Sequence, residues 1–175
     1  HGYLQRIRDH EDNYLSRQSL EDLNNLEKNA GNLTEMTNEI QNLILLEEGK
    51  LKIQYNKVDM LAYMKREVSM FESLADLAKA TLRFESDISD SLFMHVDVKY
   101  FNKILFNLIS NAFKFIEEGG SITVGLVESD NNVLISISDN GKGIAQEDLP
   151  NIFDRFYQSP LNEYRSKEGF GIGLA

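Results

Sequence analysis

The chain of 175 residues contains no cysteine. That absence excludes disulfides and thiolate metal sites, and it is compatible with a reducing compartment. No apolar run approaches the ~20 residues that a membrane-spanning helix needs, and no signal peptide is visible. Positive charge is in deficit: 18 Lys and Arg stand against 28 Asp and Glu, a formal net charge of −10. Such a balance argues against a nucleic-acid surface, while leaving room for a small basic pocket around phosphates. Proline is missing from the first 49 residues, where glycine occurs only at Gly2, Gly31 and Gly49. What is present suffices for a core. A hydrophobic fraction of 42% with 10% aromatics argues against wholesale disorder. The length suits one globular domain with an extension, or two small domains.

The glycine-poor stretch carries a helical seam. Leu23, Leu26, Ala30, Leu33, Thr37, Ile40 and Ile44 follow alternating steps of three and four, the spacing of a coiled coil or helical bundle. Met36, Leu43 and Leu46 widen the stripe, which favours a bundle. Ser19 with Asp22 resembles a helix start and Gly49 a helix stop. A long amphipathic helix needs a cover for its stripe, so the segment reads as part of a dimerising helical hairpin, the alternative being a helix packed on its own domain.

After Gly49 the pattern changes. Leu51, Ile53 and Tyr55 alternate as in a strand, and Val58 to Ala78 reads as a helix. Thr81 to Glu85 and Leu92 to Val96 are short strands; Asp97 to Glu117 is a strong helix ended by Gly119-Gly120. Ile122 to Val127 and Val133 to Ile137 form an antiparallel pair joined by Asp130-Asn131-Asn132. A short helix is expected over 146–153, followed by polar, irregular chain over 157–168. The order of runs predicts an α+β fold with helices on one face of a mixed sheet. Two domains are expected, 1–50 helical and 51–175 α+β.

Four blocks carry chemistry. Asn107-Leu108-Ile109-Ser110-Asn111-Ala112-Phe113-Lys114 puts Asn107, Asn111 and Lys114 on one helical face, since side chains at i, i+4 and i+7 line up. Amide oxygens can ligate Mg²⁺ and a lysine can neutralise phosphate. Asp139-Asn140-Gly141-Lys142-Gly143-Ile144 sets an acid at a strand end before two glycines, suited to bonding one edge of a base and letting backbone come close. Phe153-Asp154-Arg155-Phe156-Tyr157 flanks an arginine with aromatics. In Gly169-Phe170-Gly171-Ile172-Gly173-Leu174-Ala175, three glycines alternate with apolar residues, which suits backbone amides aimed at phosphates.

In this order and spacing the blocks resemble the N, G1, F and G2 boxes of the sensor histidine kinases, part of an ATPase superfamily shared with type II topoisomerases, mismatch-repair ATPases and heat-shock chaperones. The resemblance covers roughly residues 20 to 175. It implies a two-layer, Bergerat-type α/β sandwich preceded by a long dimerising helical segment. It also implies ATP and Mg²⁺ as cofactors. Asn111 would bind Mg²⁺, with Asn107 its neighbour and Lys114 a phosphate contact. Phe115 and Ile144 would line the nucleotide. Asp139 would accept from the adenine amino group, selecting ATP over GTP, while Gly141 and Gly143 admit the base. Gly169, Gly171, Gly173 and Leu174 would form the phosphate side. Phe153, Arg155 and Phe156 would anchor the lid, in which Arg165 and Lys167 are candidate γ-phosphate contacts. In hydrolysing relatives the position of Asn107 is a glutamate that activates water. Asparagine is no general base, which favours a kinase with an external acceptor over an ATPase.

One family feature is missing: a phosphoacceptor block of His-Glu, a variable pair, then Thr/Asn-Pro-Leu. His10-Glu11-Asp12-Asn13 mimics only its beginning, His1 lacks the motif, and His95 reads as a packed strand residue. No His/Asp/Glu cluster suggests zinc. The acceptor is expected about a dozen residues upstream of Gly2, and the chain reads as a fragment truncated at both ends that cannot autophosphorylate by itself. The expected function is ATP-dependent phosphorylation of a histidine on the dimerisation helices, then of a response regulator aspartate. A homodimer is implied, within the cytoplasmic portion of a membrane-anchored bacterial sensor, with no nucleic acid and no membrane contact by this piece. The rival readings are an anti-sigma-type serine kinase and a degenerate, non-catalytic relay module.

Overall fold

The computed structural model describes residues 17–129, 132–159, 171, 173 and 174. The chain divides into two compact units, His1–Lys52 and Ile53–Ala175.

In the first unit, helix α1 spans Arg17–Glu47. Ser19 therefore lies inside the helix, not at its start. Its end is a Schellman turn: Gly49 sits at φ +62, its N–H donates to the Leu46 carbonyl at 3.0 Å, and the Lys50 N–H donates to Leu45 at 2.8 Å. Glycine takes that left-handed position without Cβ strain. Along the seam Leu26, Leu33, Ile40 and Ile44 are exposed. Thr37 donates its hydroxyl back to the Leu33 carbonyl, which satisfies a polar side chain within the stripe.

The second unit is an α+β sandwich. Its elements are β1 (Asn56–Asp59), α2 (Met60–Ser69), α3 (Glu72–Ala78), β2 (Thr81–Ser86), β3 (Phe93–Val96), α4 (Val98–Phe115), β4 (Ser121–Ser129) and β5 (Asn132–Asp139). A single 3₁₀ turn, Leu149–Asn151, stands where a short helix was expected. Strand β1 pairs antiparallel with β3. Strand β4 lies between a parallel β2 and an antiparallel β5. Alternation along β4 sends Ile122, Val124 and Leu126 inward, all fully buried. They meet Met60, Tyr63, Met64 and Val68 of α2 and Leu105, Ile109 and Ala112 of α4 in two adjoining clusters.

Three expectations need correction. The run Val58 to Ala78 is not one helix, because the chain breaks at Met70–Phe71. The break turns the Phe71 ring onto α4, 5.7 Å from the Phe106 ring and 6.3 Å from Phe113, so aromatic packing overrides helical continuity. The alternation Leu51, Ile53, Tyr55 finds no strand neighbour, and pairing begins only at Asn56. His95, expected to be packed, is exposed on β3.

Helix α4 is held at its start by Asp97. One carboxylate oxygen accepts from the N–H groups of Lys99 and Tyr100, and the other from Gln54 at 2.7 Å. These bonds, Gln54 foremost, hold the carboxyl below its ordinary value of 3.8. A carboxylate favoured by the fold contributes fully above its unfolded pKa, and that contribution is lost as pH falls through the folded value. Asp97→Asn should therefore lower the urea midpoint at neutral pH, with the gap to wild type closing below pH ~4. A gap that persists in acid would contradict this account of the cap.

Candidate functional site

The site is built outward from α4. With 3.6 residues per turn, Leu105, Ile109 and Ala112 face the sheet, which turns Asn107, Asn111 and Lys114 to the opposite side. Burial of one face thus presents the other. Both asparagines are half-buried. Asn107 donates from Nδ2 to the Gly173 carbonyl at 3.1 Å, across 66 positions of sequence. Asn111 lies one turn further along the same face, half-buried.

The Asp139 block packs on the C-terminal end of the same helix. The register of β5 on β4 sets Asp139 opposite Ile122. Asn140 prolongs the pairing, its Oδ1 accepting from the Ser121 N–H at 2.7 Å. The Asp139 carboxylate then accepts from the Gly141 N–H at 2.9 Å, which orients the acid. Gly141 passes so close to α4 that a Cβ there would lie 2.6 Å from the Phe115 carbonyl oxygen. Gly143 has open space but φ +72. Lys114 and Lys142 approach the Phe115 ring, with Nζ 5.3 Å and 5.4 Å from its centroid. Two cations beside one aromatic form a basic spot on a strongly acidic chain. Ile144 is exposed nearby in sequence.

The glycine tail reaches α4 through Gly173, and it is pinned one step earlier. Gly171 accepts from the Phe156 N–H at 2.7 Å. Both residues have left-handed backbone, φ +68 and φ +64. Phe153 and Phe156 are exposed side chains, so any anchoring by Phe156 runs through its backbone rather than through its ring; Arg155 is exposed as well. Leu174 is half-buried. Arg165, Lys167 and Gly169 lie outside the described residues, as do His1 and His10.

Asp148 and Tyr157 were not among the sequence candidates. Asp148 is the one buried charged residue among those described, and it accepts from the Tyr157 hydroxyl at 2.7 Å. The hydroxyls of Ser159 and Tyr157 hold its carboxyl below the ordinary range, and the same bond raises the Tyr157 phenol. No group of three or more His, Cys, Asp or Glu that could hold a metal occurs among the described residues; amide oxygens are an alternative oxygen donor for a hard cation. The Asn107–Asn111 pair fits that oxygen donor chemistry.

Residues 96–175 match the family described as histidine kinase-, DNA gyrase B- and HSP90-like ATPase. Over 153 residues the chain is 31% identical to histidine kinase P4 of Formosa agariphila, covering 86% of this chain and 11% of that protein. The chain thus spans a small part of that curated relative. Full-length ShkA in complex with AMPPNP shares the fold with a TM-score of 0.78 at 21% identity, over 99% of this chain and 35% of that one. Histidine kinase ThkA, in complex with response regulator protein TrrA, does so with a TM-score of 0.62 at 19% identity, over 90% of this chain and 45% of that one.

The two glycines of the Asp139 turn differ in what a methyl group would meet. Gly141→Ala drives a Cβ into backbone and should destabilise the unit by about 1–3 kcal/mol. Gly143→Ala meets only the left-handed φ and should cost about 1 kcal/mol. Urea denaturation of both variants measures the difference, and equal costs would contradict the close approach at Phe115.

Proposed function

Because the chain belongs to the histidine kinase-, DNA gyrase B- and HSP90-like ATPases and carries the ATP-binding catalytic domain of a sensor histidine kinase, we propose that it binds Mg-ATP on the outward face of α4 and, in the intact protein, passes the γ-phosphate to a histidine of the dimerisation helices. The convergence of three sequence-distant blocks on one helix carries this reading: Asn107 bonds Gly173, the end of α4 packs on Gly141, and Asn111 stands between them.

In this proposal Asp139, oriented by the Gly141 N–H, accepts from the adenine amino group. Gly141 and Gly143 admit the base beside Phe115 and Ile144. Asn111, with Asn107, would hold Mg²⁺ through amide oxygen, and the ion would supply positive charge to offset that of the phosphates. Lys114 adds positive charge, and Gly171, Gly173 and Leu174 line the phosphate side with Gly169. Arg165 and Lys167 remain candidate γ-phosphate contacts. Phosphoryl transfer asks chiefly for positioning and charge neutralisation. Asn107 offers no base to activate water, so the acceptor, not hydrolysis, determines the outcome.

The exposed seam of α1 supports a homodimer of the intact protein through these helices. A response regulator receiver domain is the proposed next acceptor, by analogy with the ThkA–TrrA complex. No helix among the described residues is long and apolar enough to cross a membrane; the proposed membrane anchor and sensor belong to other parts of the intact protein. The relatives do not favour the serine-kinase or degenerate-module readings.

Calorimetric titration with Mg²⁺ and AMPPNP, beside a GTP analogue, tests the proposal. Adenine-selective binding is expected, weakened roughly 10–100-fold by Asp139→Asn, the worth of one hydrogen bond to a charged group. Equal affinity for the two analogues, or no effect of the substitution, would overturn it.

A further inference from the structure

We propose that Asp148 and Tyr157 are positioning residues for the phosphate end of the site, their hydrogen bond holding the Phe156–Gly171 crossing in the register that sets Gly173 against Asn107. The inference rests on the nucleotide reading above and adds two residues to it that touch neither base nor phosphate.

The path consists of contacts between described residues. Asp148 sits in a turn closed by its own N–H to the Ala145 carbonyl at 2.9 Å, and by the Asn151 N–H to its carbonyl at 2.8 Å. Pro150 stiffens the same turn. The carboxylate is therefore held on a rigid support and only 6% exposed. It receives the Tyr157 hydroxyl at 2.7 Å. Tyr157 adjoins Phe156, whose N–H reaches the Gly171 carbonyl at 2.7 Å. The crossing is tight: a Cβ on Gly171 would stand 2.7 Å from both the Phe156 carbonyl carbon and the Tyr157 carbonyl oxygen. Two residues further on, Gly173 accepts from Asn107 of α4.

Physical cost separates this arrangement from ordinary packing. Burying a carboxylate is unfavourable unless donors meet it, and a left-handed phenylalanine persists only where its surroundings over-determine it. An apolar pair would hold a loop base more cheaply, but without direction. The charge-assisted O–H···O⁻ bond is short and directional, so it fixes a register. That register belongs to the phosphate end alone. The base end, Asp139 with Gly141, is supported separately by Phe115 and by its own turn.

The separation gives a readout that a general loss of stability would not produce. Tyr157→Phe removes one oxygen, Asp148→Asn keeps the carboxyl shape without its charge, and both can be combined. Binding of Mg-AMPPNP and of adenosine is measured on the 175-residue chain by ¹H–¹⁵N shift titration, which also reports whether each variant is folded. Each substitution should weaken Mg-AMPPNP about 5–10-fold, less than the roughly 10–100-fold worth of a charge-assisted hydrogen bond made directly to the ligand, because this bond acts only through the loop, while adenosine affinity stays within about twofold. The double variant should be no weaker than the worse single one, as expected for two partners in one contact. If wild type binds the analogue and folded Tyr157→Phe matches it, the positioning role is overturned and the nucleotide reading stands. A parallel fall in adenosine and analogue affinity would overturn it too, pointing to a merely structural contact. Wild type that binds neither ligand overturns both.

Discussion

The structure of the second unit depends on one helix having two demands placed on it. Leu105, Ile109 and Ala112 must be buried against Ile122, Val124 and Leu126 of β4 and against α2. A helix packed by one stripe has no freedom to choose what its opposite stripe presents. Asn107, Asn111 and Lys114 therefore emerge as a set, at spacings fixed by the backbone and with orientation fixed by the core. The amide face is rigid because the apolar face is full. Aromatic contacts from Phe71, and the Asp97 cap that also receives the Gln54 N–H, prevent the helix from sliding along its axis.

Around that helix, backbone does most of the remaining work. The Asp139 turn comes within reach of the Phe115 carbonyl only because residue 141 lacks a side chain, and Gly171 passes the Phe156 and Tyr157 backbone just as closely. Charge is used sparingly. The chain is acidic overall, at −10, yet Lys114 and Lys142 gather at Phe115. A local cationic spot on an acidic body attracts a polyanion carrying its own divalent counter-ion rather than an extended nucleic acid. The same economy suits phosphoryl transfer, where orientation and charge matter more than an acid or base from the protein.

Much of this was legible in the sequence, because period and punctuation agree there. The alternation in β4, the strong period of α4 and the glycine after α1 correspond to structure with boundary shifts of a few residues. The misreadings have separate causes. Val58 to Ala78 is periodic throughout, and only the pull of Phe71 toward Phe106 and Phe113, a contact between distant segments, breaks it. Leu51 to Tyr55 alternates, but alternation makes a strand only where a neighbour exists. His95 sits in an apolar run yet points outward, since β3 follows period two. At the site, the sequence offered motif order but no distances, so the Asn107–Gly173 bond could not be inferred from it. Asp148 left no signal, and Tyr157 stood out only as the last aromatic of the block around Arg155: an acid in a turn and a tyrosine nine positions on carry no shared period, so their pairing was not legible.

Replacing Mg²⁺ by Mn²⁺ in the presence of AMPPNP, and following paramagnetic broadening of the amide signals, tests most directly the claim that the outward face of α4 holds the metal–phosphate group. Broadening centred on the Asn107 and Asn111 side-chain amides, fading toward Asp139, is the result this account predicts. Broadening that leaves the Asn107 and Asn111 side-chain amides unaffected would contradict it.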